Sequence, residues 1–104
     1  MNTTIMVSDE VARHLDNLSL GRANNTTEKL RALLEAEYRR QLTRYSLTDR
    51  QLRQKYGMSF EEFERQQLTK LYGYTWDVES DAMAWETAVD GICTIQRQLH
   101  ELLD

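Results

Sequence analysis

The sequence predicts a mainly α-helical chain with one β-strand at its N-terminus. Three observations carry this expectation. There is no proline and there are only four glycines in 104 residues, and long runs of good helix formers follow one another with little to interrupt them. Helix-start patterns, a Ser, Thr or Asn followed three residues later by Glu or Gln, recur along the chain. The first eight residues, Met1-Asn2-Thr3-Thr4-Ile5-Met6-Val7-Ser8, are instead rich in β-branched side chains, which are stiff at χ1 and suit a pleated strand.

A lone strand cannot satisfy its backbone N–H and C=O groups, and no second strand of comparable quality is visible. The expected partner is therefore the same strand of a second copy related by a two-fold axis, which makes the chain a homodimer. Ser8 is placed to cap a first helix, with Asp9 and Glu10 at its positive end. Val11, Leu15 and Leu18 form a narrow apolar stripe, and Gly21 ends it. Asn25-Thr26-Thr27-Glu28 reads as a capping box for a second helix carrying Leu30, Leu33, Leu34 and Tyr38 and extending to Leu42 and Tyr45, about five turns.

Thr48-Asp49-Arg50-Gln51 repeats the capping pattern and predicts a separate short helix that ends at Tyr56, before Gly57. Ser59-Phe60-Glu61-Glu62 predicts another, lined by Phe60, Phe63, Leu68 and Leu71. The stretch Tyr72-Gly73-Tyr74-Thr75-Trp76 reads as an aromatic-rich loop. A last long helix is expected from near Ser80 to Leu103, with Trp85, Val89 or Ala88, Ile92, Ile95, Leu99 and Leu102 on one side, close to a heptad stripe.

Composition narrows the function classes. The hydrophobic fraction of 40% supports a core, and the charged fraction of 29% implies a large solvated or partner-facing surface. Cys93 is the single cysteine, which excludes an intrachain disulfide and fits a reducing cytoplasm. No apolar run approaches the roughly 18 residues of a membrane span, and the start is too polar for a signal peptide, so a soluble cytoplasmic protein with no membrane partner is expected. His14 and His100 lie far apart, and there is no metal-ligand spacing, phosphate-cradling loop or nucleophile motif. No catalytic residue, cofactor or metal is therefore expected.

The formal net charge of −4 hides a division. Residues 1–56 carry ten Lys/Arg and seven acids, net +3, whereas residues 57–104 carry three bases and ten acids, net −7. The first half suits phosphate and the second a basic surface; ordinary solvated helix faces are the alternative.

The order of elements from Thr3 to about Tyr38 rests on Thr3-Thr4-Ile5-Met6-Val7-Ser8-Asp9-Glu10-Val11, Leu15-Asp16-Asn17-Leu18, Gly21, Asn25-Thr26-Thr27-Glu28-Lys29-Leu30 and Leu33-Leu34-Glu35-Ala36-Glu37-Tyr38. It resembles the ribbon-helix-helix fold of bacterial repressors and of many type II antitoxins, over a little over a third of the chain. The resemblance implies an intertwined dimer whose paired strands enter the DNA major groove, with Ile5 and Val7 inward and Asn2, Thr4 and Met6 toward the bases. It further implies a phosphate held at the second helix's start by Asn25, Thr26 and Thr27, with Arg22 and Lys29 adding charge. No Arg or Lys precedes Arg13, a departure from the basic strand face common in such repressors.

On this resemblance residues 1–44 form the dimerisation and DNA-binding domain and residues 45–104 a helical partner-binding segment. The segment would wrap a cognate toxin, a small basic ribonuclease, through Phe60, Phe63, Leu68, Leu71, Trp76, Trp85 and Ile92. The function implied is that of an antitoxin that neutralises its toxin and represses its own operon by binding operator DNA. Two alternatives stay open at this point. The large apolar residues of the second half can equally form a self-contained helical bundle, and the chain can be a helical dimerisation or scaffolding protein that binds no DNA.

Overall fold

A computed structural model describes residues 1–104. Five helices follow in order: α1 (Asp9–Asn17), α2 (Thr26–Tyr56), α3 (Phe60–Arg65), α4 (Leu68–Leu71) and α5 (Trp76–Leu103). The chain divides into two compact units, Met1–Ala36 and Glu37–Asp104, and α2 contributes to both. No helix is long and apolar enough to cross a membrane.

The expected N-terminal β-strand does not form, and with it the ribbon of the ribbon-helix-helix arrangement is absent. Residues 1–8 are exposed throughout and lie outside any element. The physical reason is pairing. β-Branched residues favour extended backbone, but a strand is defined by its ladder, and nothing in this chain offers Met1–Val7 a second row of donors and acceptors. What the N-terminal unit keeps is a helix, a turn and the start of a second helix.

Local signals set these helices. The Ser8 hydroxyl accepts from the Val11 amide at 3.2 Å, which caps α1. The Asn25 side chain accepts from the Glu28 amide at 2.9 Å, and the Glu28 carboxylate reaches back to accept from the Asn24 amide at 2.8 Å, one residue earlier than the usual capping box. Gly21 takes the left-handed φ of +60° that the intervening turn requires.

The α2 helix differs from expectation in running unbroken for 31 residues. Thr48 does not start a new helix; its hydroxyl donates back to the Arg44 carbonyl at 3.4 Å, as a mid-helix threonine does. Asp49 likewise faces other partners, Arg53 one turn on and Trp85 on α5. The helix ends where Gly57, at φ +68°, sends its amide to the Arg53 carbonyl at 2.7 Å.

The core lies wholly in the C-terminal unit. Leu52, Phe63, Leu68, Val78 and Trp85 form one buried cluster, with Trp85 at 0% and Phe63 at 2% exposure. Tyr56, Met58, Phe60, Ala82 and Val89 close around it. Phe63 meets the Trp85 ring at 5.1 Å between centroids, and Tyr56 stacks on the same indole at 5.8 Å. Burying each such ring stabilises the fold by about 1.5–3 kcal/mol. Ala88, Ile95 and Leu99 continue the buried face along α5. At Gly91 an added Cβ would sit 2.6 Å from a ring carbon of Tyr45, so α5 and α2 approach as closely there as only glycine allows.

Candidate functional site

In the N-terminal unit no side chain is buried. It carries an open apolar groove of about 610 Å³, lined by Ile5, Val7, Val11, Leu15, Leu18, Leu30 and Leu33 together with a few polar side chains, His14 among them. Ile5 is 71% exposed, and Val7, Val11, Leu18, Leu30 and Leu33 also count as exposed. Aliphatic side chains left in water forfeit the main favourable term of folding, and here several of them are exposed side by side.

The residues assigned to DNA fall into three settings. Asn2, Thr4 and Met6 are exposed in the segment before α1 and belong to no paired strand. Arg22 is exposed in the turn. Asn25, Thr26 and Thr27 do come together at the start of α2, lining a shallow hollow with Glu28 and Arg31. Glu28 brings a carboxylate to the place where a phosphate was expected. Lys29 is committed elsewhere: its ammonium donates to the Leu15 carbonyl at 3.2 Å and the Asp16 carbonyl at 2.9 Å, bracing the C-terminal end of α1.

The partner-binding residues also divide. Phe63, Leu68 and Trp85 are buried in the chain's own core, and Phe60 and Ile92 are half-buried. Leu71 and Trp76 stand out at 72% and 74% exposure. Between them Tyr72 and Tyr74, absent from the sequence-based set, are 55% and 59% exposed. Helical spacing marks the residues that share a stripe, not which stripe is covered. The signal for Tyr72 and Tyr74 was their place around Gly73 in a turn too short to fold over its own aromatic rings.

One polar network flanks the core. The Tyr56 hydroxyl donates to an Asp81 carboxylate oxygen at 2.6 Å, and Lys55 donates to the same oxygen at 2.6 Å. Burial and the Asp81 contact push the Tyr56 phenol well above its ordinary value. Burial works against the Asp81 carboxylate, but the hydrogen bonds from Lys55 and Tyr56 outweigh it and hold the group below the usual aspartate range. The Lys55 ammonium is raised in return, chiefly by its hydrogen bond to Asp81. These groups tie α2 to α5; no nucleophile and base stand together here. No group of three or more His, Cys, Asp or Glu side chains is placed to hold a metal ion.

Comparison with known protein families, with curated proteins and with solved structures finds no match for this chain.

Proposed function

We propose that this is a cytoplasmic, non-enzymatic binding protein that self-assembles through its N-terminal unit and neutralises a protein partner through its C-terminal unit, as a type II antitoxin does. The observation that carries the reading is the pair of uncovered apolar surfaces. An N-terminal unit without a buried side chain gains its missing core when a second copy lies in the groove around Val11, Leu18 and Leu30. A C-terminal unit with its own core still presents Leu71, Tyr72, Tyr74 and Trp76 to solvent, in a half of the chain with net charge −7. That charge suits a basic partner such as a small ribonuclease.

The geometry favours the partner-binding half of this reading over operator binding. Of the cations expected at phosphate, Lys29 is occupied by carbonyls, which leaves Arg22 and the amides at the start of α2 beside Glu28. The same observation favours a second reading, a helical dimerisation protein that binds no DNA.

Co-expression with the product of the adjacent gene tests the proposal. An antitoxin restores growth to cells making a toxic neighbour and co-elutes with it in fixed stoichiometry. Binding of the purified chain to its own promoter DNA, falling steeply with salt, then separates a repressor from the scaffold. Absence of both activities overturns the antitoxin reading.

A further inference from the structure

The turn from α4 to α5 is built in an unusual way for a plain connection. Tyr72 caps α4, the Gly73 amide returns to the Lys70 carbonyl at 3.0 Å, and the Tyr74 amide returns to the Thr69 carbonyl at 2.9 Å. These two bonds form the Schellman arrangement, in which glycine supplies the left-handed residue, here Gly73 at φ +74°. The next residue is left-handed as well, and it is Tyr74, at φ +57°. A bulky aromatic residue in that region carries backbone strain that glycine or asparagine avoids, and such strain persists where the side chain is wanted at that place.

The turn is pinned from both sides, because Leu68 before it and Val78 after it are buried in the core. Leu71, Tyr72, Tyr74 and Trp76 are therefore held outward on a fixed frame, each more than half exposed. Residues 61–81 carry six acids and two bases; Asp81 is paired with Lys55 and Glu62 with Arg65, which leaves Glu61, Glu64, Asp77 and Glu79 against Lys70. A field of that sign repels nucleic acid and anionic lipid and attracts cations.

We propose that the Leu71–Trp76 turn is the docking site for an arginine-bearing basic surface of a protein partner, guanidinium groups lying on the Tyr74 and Trp76 rings while the neighbouring acids steer the encounter. The proposal rests on the partner-binding reading above and names the place and chemistry of the contact. Arginine suits it better than lysine because a planar, weakly hydrated guanidinium stacks on an aromatic face.

The test uses the full chain at physiological ionic strength. Trp85 is fully buried, so a change of tryptophan emission on binding reports on Trp76. A nona-arginine peptide should shift that emission, and a nona-lysine peptide should shift it far less. The double variant Tyr74→Gly/Trp76→Ala, which lacks the reporter ring and is compared with wild type by titration calorimetry, should bind nona-arginine roughly tenfold more weakly, with an unchanged circular dichroism spectrum and no fall in Tm, since Tyr74→Gly relieves the left-handed strain. Leu71→Ala, at a separate exposed position, gives a second weakened variant should the first fold poorly.

Equal affinity of the variants for nona-arginine overturns the proposal, as does an equal response to lysine. Trp76-dependent binding to oligothymidine or to phosphatidylglycerol vesicles overturns it too, and assigns the turn to nucleic acid or to a membrane surface. Growth rescue separates the two levels of argument. If the wild type neutralises the adjacent gene's product and the double variant does so equally well, the turn is not the docking site while the antitoxin reading stands. If the wild type fails to neutralise, that reading fails, and the peptide titration still decides whether the turn binds arginine.

Discussion

The indole Nε1–H of Trp85 donates to the Asp49 carboxylate at 2.8 Å, across from α5 to the C-terminal third of α2. Asp49 also accepts from the Arg53 Nε–H at 3.1 Å, so one carboxylate both satisfies the most deeply buried ring of the core and is itself paired. A tryptophan buried completely needs a partner for its single donor, and Asp49 is that partner.

Removing the acceptor should therefore cost more than a surface acid is worth. Asp49→Ala is expected to destabilise the protein by about 1–3 kcal/mol, the penalty of leaving a buried donor unpaired. Asp49→Asn, which keeps an acceptor oxygen, should recover most of that loss. Urea unfolding followed by circular dichroism measures both, and an Asp49→Ala midpoint equal to wild type would show that the indole bond carries no weight.

Gly91 gives the second prediction. In the interior of a helix alanine is ordinarily favoured over glycine by about 1 kcal/mol. Here the new Cβ would lie 2.6–2.9 Å from ring atoms of Tyr45, so the sign should invert, with Gly91→Ala costing about 1–3 kcal/mol. The double variant Gly91→Ala/Tyr45→Leu should recover part of it. A Tm raised by Gly91→Ala would mean that the helices separate there at little cost.

The Asp81 network predicts a pH dependence whose sign can be worked out. The folded-state value of Asp81 is depressed, so its contribution is complete above the ordinary aspartate value of about 3.9 and is lost as pH falls through the folded value. Lys55 and Tyr56 are raised, so theirs are complete below the ordinary values near pH 10 and are lost as pH rises through the folded ones. Asp81→Ala should lower stability at neutral pH by about 1–2 kcal/mol, mostly through the half-buried Tyr56 bond, and flatten the dependence below about pH 4. An unchanged acid slope in the variant would assign that slope to other carboxylates.

Much of the helical frame was legible because its signals are local. Ser8, Asn25 and Ser59 each accept the amide bond their position promises, and Gly21, Gly57 and Gly73 all adopt left-handed backbone. Two expectations failed where the decision is tertiary. Thr48 and Asp49 look like a cap, but a threonine can return its hydroxyl to the preceding turn and an aspartate can be claimed by a buried indole, so α2 continues. Ile5 and Val7 look like strand residues, but pairing needs a second strand that the chain does not contain. Trp76 and Trp85 were both expected to anchor a partner, and only packing separates the one that faces water from the one at the centre of the core.

Sedimentation equilibrium of the full chain, beside the variant Leu30→Asp, tests the central claim that the N-terminal unit is completed by another copy. The wild type should sediment at twice the chain mass of 12.3 kDa. Leu30→Asp, which places a charge in the apolar groove, should sediment as a monomer and lose hydrogen-exchange protection across α1 while α5 keeps its own. A wild-type protein that is monomeric at high concentration and yet protects the α1 amides would contradict the claim, because a unit without a buried side chain would then stand without cover.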